Sequence, residues 1–120
     1  MLYFPYDVEE MPGTDFLGQF EQLVLTAILV LREDAYGVTI RQEITRRTGR
    51  EVAIGAVYAT LSRLEEKGLV AYTLSDPVPV PGGRTRKHFA LTPAGVRALD
   101  HSTRMLARMM QGWRPRTQPQ

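Results

Sequence analysis

The stretch from Ala53 to Leu91 constrains the fold more than any other part of this chain. Ile54, Val57, Leu61 and Leu64 recur at the spacing of one face of an α-helix. Gly68 follows, where a helix end calls for a residue in the left-handed conformation. Leu69 to Leu74 and Lys87 to Leu91 then alternate apolar and polar side chains, as half-buried strands do. The connector from Ser75 to Arg86 is too rich in proline to pair as a central strand, and it carries cations at its exit. A helix followed by a basic-tipped hairpin is the outline of a winged helix-turn-helix. The expected class is therefore mainly α with one β-hairpin.

The rest of the chain fits around that unit. Thr14 or Asp15 can cap a first helix with Phe16, Phe20, Leu23, Val24, Ala27, Ile28 and Leu31 on its buried stripe, ended by Arg32-Glu33-Asp34-Ala35. Tyr36-Gly37 opens a second helix running roughly to Thr48, with Val38, Ile40 and Ile44 inward and Arg41, Arg46 and Arg47 outward. Gly49 stops it, and a short turn leads into the third helix, as in helix-turn-helix units. Thr92-Pro93 reads as an N-cap followed by proline at the first helical position, the start of a last helix running to about Trp113. The expected organisation is an extension over 1–13, a winged helix over 14–92, a dimerisation helix over 93–113 and a disordered tail over 114–120. The aromatics Tyr3, Phe4 and Tyr6 are too many for a solvated tail, so the extension is expected to dock on the body or on a second subunit.

Charge is distributed unevenly. Residues 1–35 hold seven acids against one base, residues 36–91 nine bases against five acids, and residues 92–120 five bases against one acid. An acidic first third and a basic remainder suit a face for a polyanion. The chain has no cysteine, which excludes a disulfide framework and cysteine-ligated zinc and fits a reducing, cytoplasmic location. The longest apolar run, Leu23 to Leu31 broken by Thr26, is far short of the roughly 20 residues that span a bilayer. No membrane partner is expected. The N-terminus carries Asp7, Glu9 and Glu10 and no basic region, so it does not read as a signal peptide.

Opposite the apolar stripe of the third helix lie Gly55, Ala59, Ser62, Arg63 and Glu66, with Tyr58, Thr60 and Lys67 on the flanks. Small and hydroxylated residues with one arginine make a slim face that can enter a major groove about 12 Å wide. Arg63 suits guanine, whereas Tyr58, Thr60, Ser62 and Lys67 suit phosphates of double-stranded DNA. Arg84 and Arg86 share one face of the hairpin exit and Lys87 points to the other; in a Gly-Gly-tipped loop they suit phosphate or minor-groove contact. A solvated helix and a cation-protected strand edge are the plainer readings of the same residues. An enzyme is not expected, and neither is a cofactor or metal. The two histidines, His88 and His101, stand apart, and no nucleophile elbow, phosphate loop or metal-spaced carboxylate set is present.

The last helix carries Val96, Leu99, Leu106, Met110 and Trp113 on one side, with Met105 and Met109 beside them. Packing on the first helix of the same chain would cover this face; so would a second copy crossing over it. The homodimer is favoured, because so small a monomer would otherwise expose a large apolar patch. Leu99, Leu106, Met109, Met110 and Trp113 would then line the interface and an apolar cleft for a small aromatic effector.

Tyr36-Gly37, the string Gly55-Ala-Val-Tyr58-Ala-Thr60-Leu61-Ser-Arg63-Leu64-Glu-Glu-Lys-Gly68-Leu69-Val70, Gly82-Gly83-Arg84 and Lys87-His-Phe-Ala-Leu91-Thr92-Pro-Ala-Gly95 together resemble the PadR family of bacterial transcriptional regulators. The resemblance covers roughly residues 15–100. It implies a homodimeric repressor on a two-fold symmetric operator, released by a small molecule, with the C-terminal helix as dimer element. One C-terminal helix places the chain with the family's short branch. Ala53, Ala56 and Ala59 depart from the Ser, Thr and Pro common in the family, and His88-Phe89 replaces a pair of tyrosines. The competing class is a winged helix kept for protein interaction, with no specific DNA target.

Overall fold

A computed structural model describes residues 17–75 and 85–113. Their elements run α1 (Gln19–Leu31), α2 (Gly37–Thr48), α3 (Ile54–Glu66), β1 (Val70–Leu74), β2 (Lys87–Leu91) and α4 (Pro93–Met109), with a short 3-10 turn at Arg32–Asp34. The described part is thus mainly helical with one antiparallel hairpin, as expected.

Helix α1 begins later than the sequence suggests. Gly18 takes the N-cap, and Glu21 at N3 reaches back so that its Oε1 accepts the Gly18 N–H at 2.9 Å. A backbone amide with no helical partner is satisfied there by a carboxylate, which the helix dipole also favours. Thr14, Asp15 and Phe16 lie outside the described residues. Val24, Leu25, Ala27 and Ile28 face the core, while Phe20, Leu23 and Leu31 are only partly covered.

Helix α2 opens at Tyr36, whose N–H donates to Thr39 Oγ1 at 2.8 Å, and closes on Gly49 at φ 73°. Ile40 and Ile44 are buried, but Val38 is exposed, against expectation, because it stands on the outer side of the first turn. Gly37 leaves no room for a side chain while the Tyr58 ring holds its place. A Cβ there would come within 2.5 Å of the Tyr58 ring, so the start of α2 and the flank of α3 meet only across a glycine. Arg41 Nε donates to Val52 O at 2.8 Å, which pins the turn between the two helices.

Helix α3 buries Val57, Leu61 and Leu64. Ile54 is 38% exposed because it lies in the first turn, beyond the reach of the core. Ala53 supplies no side-chain cap. The helix ends with Gly68 at φ 75° and Leu69 N–H donating to Leu64 O at 2.9 Å. The hairpin pairs Val70 with Leu91 through to Leu74 with Lys87, and Phe89 is its buried anchor. Phe89 N–H also donates to Ala35 O at 2.8 Å, tying β2 to the link between α1 and α2.

Helix α4 has the expected Thr92 cap, which accepts from Gly95 N at 3.0 Å, with Pro93 at N1. A Cβ on Gly95 would lie 2.0 Å from Leu69 O, so the helix is seated against the strand entrance. Its helical part ends at Met109 rather than Trp113, and Gly112 turns at φ 85°. Ala98 and Leu99 belong to the core shared by α1, α2, α3 and β2. The inner face of the first half of α4 is therefore covered by its own chain, while Val96, expected on the same apolar side, is 47% exposed. The extension, the tip of the hairpin and the C-terminal tail, including Arg84, fall outside the described residues.

Candidate nucleic-acid interface

The outward side of α3 carries Gly55, Ala56, Tyr58, Ala59, Ser62, Arg63 and Glu66, all exposed. Two of the expected contact residues are not there. Thr60 is 1% exposed, because the stripe of buried residues is wider than Ile54, Val57, Leu61 and Leu64 alone. Its hydroxyl accepts from Arg63 Nη2 at 3.1 Å, so it anchors the guanidinium and is itself shut away from any phosphate. Lys67, at the C-terminal end of the helix, is drawn inward to Glu21, Nζ to Oε2 at 2.7 Å. Its ammonium joins α3 to α1 and is not free for a partner.

Glu21 was not singled out from the sequence, although a signal existed. It falls on the same helical stripe as Val24, Leu25 and Ile28, where an acid requires a partner. Burial alone would raise its carboxyl. The Lys67 hydrogen bond, the Gly18 N–H and the charges of Lys67 and Arg63 together outweigh that and hold it below the ordinary value of 4.5.

At the hairpin root, alternation sends Arg86 and Lys87 to opposite faces, as expected. Arg86 lays its guanidinium 4.1 Å from the centre of the Tyr36 ring, and His88 meets the same ring edge-on at 5.5 Å. His88 Nε2 is 2.9 Å from Arg32 O. On the other face, Lys87 Nζ sits 4.2 Å from the Tyr72 ring and looks across a shallow cleft at Ser62, Glu65 and Glu66. So the structure brings Tyr58, Tyr36 and Arg86 around the start of α2, and Ser62 and Lys87 into the gap between α3 and the hairpin. Arg84 lies outside the described residues. Tyr36, legible in the sequence as a helix start and as part of the family resemblance, also belongs to this group.

Beyond Ser102, α4 leaves the body. Leu106 is 56% exposed and Met109 83%, and Met110 and Trp113 are open as well. Leu99, expected with them, is 8% exposed and sealed in the chain's own core, so it cannot line a cleft between copies. Among the described residues no group of His, Asp and Glu could hold a metal, and no helix is long and apolar enough to cross a membrane.

A helix with a slim outer face, set behind a helix and turn and flanked by a cation-bearing hairpin, belongs to the winged-helix class of DNA-binding modules. Residues 25–101 match the model of the Transcriptional regulator PadR-like family, and the chain belongs to that family. It is a DNA-binding regulator of transcription and not an enzyme. It is 34% identical over 80 residues to protein X of Lysinibacillus sphaericus, covering 65% of this chain and 69% of that one. It is 38% identical over 73 residues to Transcriptional regulator Rv3488 of Mycobacterium tuberculosis, covering 61% and 64%. Among solved structures, H. salinarum RosR superposes with a TM-score of 0.60 at 31% identity, over 80% of this chain and 79% of that one.

Proposed function

We propose that the chain acts as a homodimeric repressor on a two-fold symmetric operator, with the free end of α4 as the dimer element. One observation carries this reading. The outer half of α4 presents Leu106, Met109, Met110 and Trp113 as exposed large apolar groups, while its inner half is built into the core. An apolar helix end of this kind is covered by a second copy, and two copies place two α3 helices about one DNA turn apart. Arg63 then reads a base edge, supported from below by Thr60, while Tyr58, Ser62, Arg86 and Lys87 meet phosphates, joined by Arg84. Thr60 and Lys67 are not part of this set.

A planar aromatic effector would lie between the paired α4 ends, near Leu106, Met109, Met110 and Trp113 of both chains. It acts by binding better to a dimer whose α3 helices are wrongly spaced for DNA. Support comes from the Met-rich, aromatic character of that surface. Selection of bound fragments from random duplexes, followed by light scattering of the free protein, tests the reading. A palindromic consensus and a micromolar dimer are expected. A single half-site bound by a monomer, or binding without sequence preference, would overturn it. Trp113, the sole tryptophan, reports the effector: its emission and the operator affinity must change together on addition of one compound.

A further inference from the structure

An apolar groove lies between α1 and α2, made of two adjoining clefts that share Leu23, Ile44 and Thr48. Phe20, Leu23, Ile44 and Val52 line its wider end, a cleft of about 380 Å³, and Ala27 and Val30 its other end. Two features of its rim bear on what fills it. Gln19 and Phe20 line the wide end, so the backbone preceding α1 emerges at the mouth of the groove. Arg47 and Arg50 stand along its edge, and Arg50 makes no ion pair among the described residues.

Residues 1–16 have the matching composition: Tyr3, Phe4, Tyr6 and Phe16 with four acids and no lysine or arginine. They precede the family match, which begins at residue 25. We propose that residues 1–16 fold back as an intramolecular arm and occupy this groove. Pro12-Gly13 is a pair suited to reversing the chain. Four residues out from the mouth and four back return the chain to it near Glu9 and Glu10, which stand beside Arg50. The next three residues extend about 10 Å, the rise of seven helical residues, so Tyr6 falls beside Thr26. Tyr3 and Phe4 then lie over Val30. The arm covers apolar surface and sets its carboxylates against Arg50, since Arg47 is already paired with Glu43.

The absence of cysteine in the chain makes the test direct. Tyr6→Cys is combined with Thr26→Cys, an exposed groove position, in the full chain, and with Ala71→Cys on the hairpin as the control pair. Under mild oxidation the Tyr6/Thr26 pair should close within one chain at least about tenfold faster than the control, as the effective concentration of a tethered segment requires. Adding Arg50→Glu to that pair should slow the closure. Equal rates for the two pairs would overturn the proposal, and a bond linking two chains would assign the groove to a second copy instead. The result does not depend on whether the protein dimerises through α4 or on the operator it binds.

Discussion

The two halves of α4 have similar side chains and opposite surroundings. From Gly95 to Ser102 the helix is wedged against Leu69, α1 and β2, and Ala98, Leu99 and Ser102 are buried. From Leu106 onward the same amphipathic helix stands clear, with its large apolar groups in solvent. A related contrast separates the two faces of α3, where Lys67 and Thr60 are turned inward and Ser62 and Arg63 outward. In both helices the covered part holds the fold and the bare part is what remains for a partner. Amphipathic spacing tells that a helix has an apolar side, but not which chain covers it.

The largest effect should come from the covered half. Leu99→Ala removes a buried side chain from the shared core and should destabilise the chain by about 2–5 kcal/mol in denaturant unfolding. A loss well below 1 kcal/mol would mean that α4 is not integral to the core. The bare half should behave in the opposite way. Leu106→Asp should leave the secondary structure intact while raising the dissociation constant of the dimer at least about tenfold, as sedimentation would report. A variant dimer as tight as the wild type would place the interface elsewhere.

Within α3, Arg63→Ala should weaken the preferred duplex by about 1–3 kcal/mol and blur its sequence preference, with little effect on unfolding. Equal weakening on random DNA would reduce Arg63 to a phosphate contact. The inward partner should show the reverse pattern. Glu21→Gln should cost about 1–2 kcal/mol of stability at neutral pH and hardly touch the preference for one duplex. The sign with pH follows from the lowered carboxyl: its contribution is complete above 4.5, the ordinary value, and is lost as the pH falls through the depressed one. Unfolding curves of wild type and Glu21→Gln should therefore converge in acid. Curves that keep the same separation throughout the acid range would show that the difference does not come from the ionised carboxylate. The smallest effect is expected from Arg86→Ala, which should weaken all duplexes alike and flatten the salt dependence by about one unit of slope.

Much of this arrangement was legible in local chemistry. Gly49 and Gly68 stand in the left-handed conformation that the helix ends demanded, and Thr92-Pro93 starts α4 at the expected residue. The hairpin alternates as its sequence alternates. These features depend on a few neighbouring residues, and neighbouring residues are what a sequence displays. Thr60 and Lys67 escaped because their surroundings come from far away. Lys67 meets a carboxylate 46 positions earlier, and Thr60 is covered by tertiary packing that a narrow reading of the apolar stripe omits. The start of α1 was misplaced because Thr14 and Asp15 are good caps in composition, whereas Gly18 succeeds through the side chain of Glu21. Leu99 was grouped with Leu106 by periodicity, which cannot register where a helix departs from its body.

The contact between Gly37 and the Tyr58 ring sets an order on change. Tyr58 lies on the outer side of α3, where a new side chain could alter which duplexes are preferred. Gly37, on a different helix, can accept a side chain only if the ring at position 58 swings aside or is trimmed, since the two would otherwise occupy the same space. Trimming first opens the space; enlarging Gly37 first drives the half-exposed ring out toward solvent. Once a residue larger than glycine stands at position 37, a tyrosine at 58 can return only in another orientation. A descendant of this chain can thus abandon its aromatic flank in one step, and a second step removes the seat to which the ring would return.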